Sequence, residues 1–166
     1  NLQDLKNLVA TKLIFSLLEN QNQSNKLKFV GGCVRKLLNK EMVNDIDIAT
    51  RFTPNELKNI LTEKKVFFNE TGIAHGTITV VINKIKFEIT TLRKDVSTDG
   101  RHANVEFISD WETDAKRRDF TINAIYSNLK GEVYDPLGGS KDLENGIVKF
   151  IGDPNERIKE DYLRIL

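Results

Sequence analysis

Leu2, Leu5, Val9, Leu13 and Leu17 recur three to four residues apart. That spacing lines one side of a helix and predicts an amphipathic α-helix over the first ~18 residues. The polar run ENQNQSNK (residues 19–26) interrupts it, and LKFV reads as a short strand running into Gly31-Gly32. VRKLLNK predicts a turn or two of helix, and DIDIAT (residues 45–50) a second strand. In TPNE (residues 53–56) a threonine and a glutamate stand three apart with Pro54 at the first helical position, a capping box opening a helix to about Lys64. GTITVVI and KIKFEITTL flank Asn83-Lys84 and predict a hairpin. Residues 93–104 are polar and contain Asp99-Gly100, so a loop is expected. After it come a charged helix, DWETDAKRRD, two strand-like stretches, FTINAIYS and GEVYD, a loop, DPLGGSKDLENG, and a helix from Pro154 onward. The mixture is neither an alternating parallel pattern nor all-β. It predicts an α+β fold, a mixed sheet flanked by helices.

The bulk numbers narrow the class without naming it. A chain of 166 residues can hold one domain and the start of a second. A formal net charge of +1 neither requires nor excludes a nucleic-acid partner. Cys33 is the only cysteine, which excludes an internal disulfide, and with His75 and His102 as the only histidines a structural zinc site is not expected. No signal peptide and no apolar run near the ~20 residues of a membrane helix is present, so no membrane partner and a cytoplasmic location are expected. The first residue is Asn1 and the last stretch, EDYLRIL, is helical in pattern without a stop signal; the expectation is a piece of a longer protein.

The chemistry concentrates between residues 30 and 50. On a strand of period two, Asp45 and Asp47 share one face while Ile46 and Ile48 share the other. Two carboxylates so close repel unless a cation sits between them, and an oxygen-only site on a rigid strand suits Mg²⁺ with substrate phosphates completing the shell. Alone, D-x-D also describes a strand end. Gly31-Gly32 before a helix lets backbone N–H groups approach a phosphate, with Arg35 one turn in; alone, it also describes a tight turn. The two signals about fifteen residues apart in one strand–helix–strand unit are stronger together than either alone. Glu88, the acidic position within KFEITT, is either a third acidic group of the site or part of a solvated outer face.

These residues resemble the nucleotidyltransferase superfamily that includes DNA polymerase beta. From about Lys28 onward the chain resembles the class II tRNA nucleotidyltransferases, or CCA-adding enzymes, and the related bacterial poly(A) polymerases. GGCVRKLL…DIDIAT, RRDFTINAI, DPLGGSKDL and GDPNERIKEDYLR stand in the order of that family's four motifs. Lys36 departs from the pattern, which usually has aspartate there. The resemblance implies a DNA polymerase beta-like catalytic head over residues 1–146 and the start of an all-helical neck over residues 147–166.

The implied reaction is transfer of a nucleotide from CTP or ATP to the 3′ hydroxyl of a tRNA, with pyrophosphate released. Two metals on Asp45 and Asp47, with Glu88 as the third acid, would serve the chemistry, and Gly31, Gly32 and Arg35 would hold the triphosphate. Asp119, helped by Arg118 and Asn123, would accept from the ribose 2′ hydroxyl. Arg117 is either part of that group or a solvated helix end. Asp161 and Arg164, expected three apart on one helix, would pair with the amine and ring nitrogen shared by cytosine and adenine. DVSTDGRHANVEF resembles the family's flexible loop at full length, which favours A addition over CC-only activity. His75 is expected to brace the turn before TITVV, and DPLGGSKDL to form the head–neck joint. CCA addition is the favoured activity. An A-adding or poly(A) enzyme of the same family, and a silent nucleotide- or RNA-binding module, stand beside it. Nothing in the sequence sets the oligomeric state.

Overall fold

The computed structural model describes residues 2–19, 25–98 and 103–165. Helix α1 (Leu2–Leu18) precedes strand β1 (Leu27–Val30), helix α2 (Gly32–Leu38), strand β2 (Asp45–Thr50) and helix α3 (Pro54–Glu63). Strands β3 (Phe68–Asn69), β4 (Thr77–Ile82) and β5 (Ile85–Thr91) follow, then a ribbon of β6 (Arg93–Thr98) and β7 (Ala103–Phe107). Helix α4 (Trp111–Lys116), strands β8 (Tyr126–Ser127) and β9 (Val133–Tyr134), and helices α5 (Gly139–Glu144) and α6 (Pro154–Glu160) complete the chain.

The main sheet runs β3-β4-β5-β2-β1-β8-β9. Only β2 and β5 pair in parallel, with Asp47 opposite Glu88; the other neighbours are antiparallel. Ile46, Ile48, Phe87, Ile89, Ile78 and Val80 line one face, and α1 and α3 cover it through Ile14, Phe15, Leu18, Leu57 and Leu61. The other face, carrying Asp45 and Asp47, is roofed at one side by a second cluster of Val30, Ala49, Leu92, Trp111 and Tyr126. The fold is thus the mixed sheet flanked by helices that the pattern predicts.

The local signals hold where they are strong. Thr53 accepts from the Glu56 amide and Glu56 bonds back to the Thr53 amide, the capping box of α3. Asn83 and Lys84 take φ of 53° and 67°, the left-handed pair of a tight hairpin turn.

Four expectations need correction. Helix α1 is present, but Val9 and Leu13 are 53% and 43% exposed while Ala10, Ile14, Phe15 and Leu18 are buried. The helix is apolar on two sides, and the stripe bearing Phe15 wins because its ring packs 5.0 Å from that of Phe29. The side chains of Leu2 and Leu5 lie outside the described set. Much of 93–104 is the β6–β7 ribbon rather than loop, held in register from Arg93↔Phe107 to Thr98↔Ala103 and by a Lys94–Glu106 ion pair of 3.2 Å. Strand β6, RKDVST, has one apolar residue and carries no alternating signal, and the alternation of ANVEF in β7 is too short to announce the ribbon by itself; the expected Asp99-Gly100 turn falls outside the described residues. FTINAIYS is a 3₁₀ turn (Thr121–Asn123) before the short β8 rather than one strand. DPLGGSKDLENG contains α5, whose first amides, Gly139 and Ser140, are capped by the Asp135 carboxylate at 2.9 and 2.8 Å.

Candidate active site

The glycine pair sits where β1 turns into α2. Gly31 has φ 75° and ψ −135°, a conformation only glycine adopts without strain, and it stands at the N-cap of α2. Gly32, Arg35, Asp47, Thr90, Arg118 and Asp119 are among the residues lining an open cleft of about 460 Å³ over this turn. Four arginines, Arg35, Arg93, Arg117 and Arg118, face two carboxylates there, Asp47 and Asp119. The cleft is built for an anion.

Its walls are wired together. Arg35 Nη1 donates to Asn123 Oδ1 at 2.7 Å, and Asn123 Nδ2 donates to Asp119 Oδ1 at 3.1 Å. That oxygen also accepts from the Phe120 amide at 2.6 Å. The 3₁₀ turn presenting Asn123 is pinned from behind by Thr121 Oγ1 donating to Asp142 of α5 at 2.7 Å.

Asp45 and Asp47 project from the same face of β2, Asp45 exposed and Asp47 half-buried. Burial first, then the neighbouring Glu88, pushes the Asp47 carboxyl above its ordinary range. Glu88 lies beside Asp47 on β5, but its carboxylate is held by Lys86 at 3.1 Å.

The expected helix through Asp161 and Arg164 is not continuous. Helix α6 ends at Glu160; Asp161 is extended (φ −155°, ψ 106°), and Tyr162–Ile165 form a 3₁₀ turn. Asp161 Oδ1 accepts from the Leu163 amide at 3.0 Å, a local bond that competes with the helix. Arg164 Nη1 donates to Glu160 at 2.9 Å and to the Arg157 carbonyl at 2.6 Å. Both residues nevertheless line one cavity of about 450 Å³, and Asp119 lines it too. Asp119 therefore borders both the arginine cleft and the Asp161/Arg164 cavity.

The segment beyond residue 146 is stitched to this centre. The Ile151 amide donates to the Asp119 carbonyl at 2.8 Å, the Thr121 amide to the Lys149 carbonyl at 3.0 Å, and Phe120 and Phe150 rings lie 4.7 Å apart. Arg157 donates to the carbonyls of Ile151, Lys116 and Arg117 at 2.9, 2.7 and 3.3 Å.

Several residues of the cleft escape a sequence reading. Arg117 is not a solvated helix end: its side chain is 15% exposed and its Nε bonds Asp114 at 3.2 Å. Arg93, held by the His75 carbonyl at 2.6 Å, has its pKa lowered to about 10 by burial and then by Arg117. The bracing at His75 thus runs through its backbone. Asp114 is 1% exposed beneath the arginines; its one sequence signal is its spacing of three and four from Arg117 and Arg118.

A mixed sheet with a glycine turn, a paired-aspartate strand and an arginine-lined cleft defines a nucleotidyltransferase fold. Residues 27–149 match the model of the poly A polymerase head domain, and the chain belongs to that family. It is 48% identical over 147 residues to the mitochondrial CCA tRNA nucleotidyltransferase 1 of Danio rerio, covering 88% of this chain and 34% of that protein. It is 41% identical over 161 residues to the CCA-adding enzyme of Oceanobacillus iheyensis, covering 96% and 38%. Its fold superposes on the Bacillus stearothermophilus CCA-adding enzyme in complex with CTP with a TM-score of 0.78 at 32% identity, covering 94% of this chain and 37% of the other. The chain thus spans about a third of the length of the relatives it matches.

Proposed function

We propose that this chain is the nucleotide-handling part of a template-independent, metal-dependent RNA nucleotidyltransferase that adds CCA to the 3′ end of tRNA from CTP and ATP. One observation carries the reading: Asp119 borders both cavities, so anion-binding arginines, a carboxylate and a polar pair follow one another in the order phosphate, sugar, base. The names of the relatives in fish and bacteria, and the CTP complex of the structural neighbour, support the substrates. In this proposal residues 1–146 are the catalytic head and 147–166 begin the neck.

Each group has a task. The Gly31-Gly32 turn, Arg35 and the cleft arginines bind the triphosphate. Asp119, steadied by Asn123, accepts from the ribose 2′ hydroxyl. Asp161 accepts from the exocyclic amine of cytosine or adenine and Arg164 donates to the ring nitrogen beside it. Guanine and uracil present a carbonyl and an N–H instead and leave both side chains mispaired, costing ~1–3 kcal/mol per group.

The donor set fits a hard divalent cation. Among the described residues no three His, Cys, Asp or Glu side chains close into a cage. Asp45 and Asp47 offer carboxylate oxygens on one face, and burial, then the neighbouring Glu88, already raises Asp47. Two carboxylates plus substrate phosphates is the set Mg²⁺ prefers, and these two aspartates would hold it. Two such ions held by Asp45 and Asp47 would supply activation of the attacking hydroxyl and charge neutralisation at the leaving pyrophosphate. Glu88, opposite Asp47 on β5 and close enough to raise its carboxyl, would serve as the third acidic group, with Lys86 paired to it at 3.1 Å. The expected cytoplasmic location belongs to the same proposal; the fish relative is mitochondrial by name, and cell fractionation decides the compartment.

The test uses the full-length protein, a tRNA transcript ending at its discriminator base, Mg²⁺, and CTP and ATP separately and together. Addition of C, C and then A is expected. Growth only with ATP on a tRNA already ending in CC, or long A tails on unrelated RNA, would replace CCA addition by one of the A-specific activities. No incorporation on any of these RNAs would refute the enzyme.

A further inference from the structure

Beneath the arginine cleft lies a carboxylate that no step above uses. Asp114, on α4, is 1% exposed and both its oxygens are saturated. Oδ2 accepts from the Tyr126 hydroxyl at 2.6 Å and from Arg118 Nη2 at 3.0 Å. Oδ1 accepts from Arg117 Nε at 3.2 Å and from the Arg93 amide at 3.1 Å. Burial drives its carboxyl upward, but Arg118 and Arg117 outweigh that and hold it below the usual range.

The geometry constrains the arginines more than a simple ion pair would. Arg118 also donates from Nε to the Tyr126 hydroxyl at 3.3 Å and lies 5.5 Å over that ring. One edge of its guanidinium is thereby fixed from below. Among the described residues, Arg118 Nη1 and both Nη groups of Arg117 carry no further bond. Both residues line the cleft. Long cationic side chains lose rotamer entropy when they close on a ligand, and a clamp that orders them in advance removes that loss.

We infer that Asp114 is a positioning residue for the nucleotide's phosphate chain, with Tyr126 as its partner: it orders Arg117 and Arg118 from below so that their free edges face the anion. The inference rests on the nucleotidyltransferase reading for the identity of that anion. Asp114 touches no substrate and acts only through the arginines.

The experiment compares wild-type full-length protein with Tyr126→Phe and Asp114→Asn. It measures KM and kcat for CTP and ATP, melting temperature, and pyrophosphate affinity by titration calorimetry in Mg²⁺. Loss of one hydrogen bond to a charged group is worth about a factor of ten or more. Both variants should therefore raise KM for both nucleotides and the pyrophosphate dissociation constant together, about tenfold, with kcat within about threefold. A purely structural carboxylate would lower melting temperature or the active fraction and leave KM and pyrophosphate affinity unchanged, which would overturn the inference. If Asp114→Asn fails to fold, Tyr126→Phe, which removes one hydroxyl from a buried ring, decides alone. If wild type binds pyrophosphate but incorporates no nucleotide, the enzymatic reading falls while the calorimetry still judges Asp114.

Discussion

Gly139→Ala tests how the candidate site is supported from behind. A Cβ at Gly139 would stand 2.0 Å from the Thr121 carbonyl oxygen, 2.6 Å from its carbon and 3.0 Å from Ile125 Cγ1. Two of these are backbone atoms, so no rotamer change relieves the overlap; α5 and the 3₁₀ turn must separate by about 1 Å. Overpacking of this kind costs ~1–3 kcal/mol, and contact with backbone argues for the upper end. The gain in helix propensity offsets at most about 1 kcal/mol. The net is about 2 kcal/mol, a fall in melting temperature of about 4–8 °C for a chain this size. The turn that moves carries Asn123, which bonds both Arg35 and Asp119, so KM for both nucleotides should rise as well. The assay is thermal unfolding with steady-state incorporation, and Gly138→Ala is the internal control. Gly138 is left-handed, φ 75°, and a Cβ added there would meet nothing within 4 Å; its alanine variant should cost about 1 kcal/mol with KM unchanged. A Gly139→Ala protein melting at or above wild type, or a costlier Gly138→Ala, would refute the reasoning.

Two further outcomes are expected. Gly31→Ala meets only Asn123 O at 3.8 Å, so its penalty is conformational, from φ 75°; strain of ~1–3 kcal/mol should displace the N–H groups of the turn and weaken CTP binding in calorimetry, whereas unchanged binding would remove the turn from the phosphate site. Asp47→Asn should abolish incorporation yet raise the melting temperature of metal-free protein at pH 7. The sign follows from the raised carboxyl: its stabilising contribution is present below the ordinary value of 3.8 and lost as pH climbs through the higher folded value. The difference should vanish by about pH 3, and a variant less stable than wild type at pH 7 contradicts the electrostatics described.

What the sequence shows plainly is what local chemistry decides. The alternation of DIDIAT puts Asp45 and Asp47 on one face, TPNE caps α3, and Asn83-Lys84 turns the hairpin, because each is settled within a few residues. The face of α1 is illegible because the helix is apolar on two sides, and the choice falls to Phe29, a strand away. Helix α5 hides behind two glycines, one of them present for contact with Thr121 rather than for flexibility. The break at Asp161 depends on a side-chain bond to Leu163 that no periodicity announces. Asp114 stands in a run of charges that reads as a solvated helix, and only the tertiary fold buries it.

The stitch between residues 149–157 and 116–121 carries a consequence for base choice. In the proposed enzyme the Ile151 amide and Arg157 tie the segment leading to Asp161 and Arg164 to the backbone carbonyls of Asp119, Lys116 and Arg117, so the stand-off from phosphate cleft to base cavity would be a built-in gauge length. In the proposed enzyme a purine and a pyrimidine must be measured against one fixed gauge. The smaller base can fill it only if another solid group, such as the end of the growing RNA, occupies the remainder. In that proposal, alternation between C and A would turn on what shares the pocket rather than on a change in the gauge.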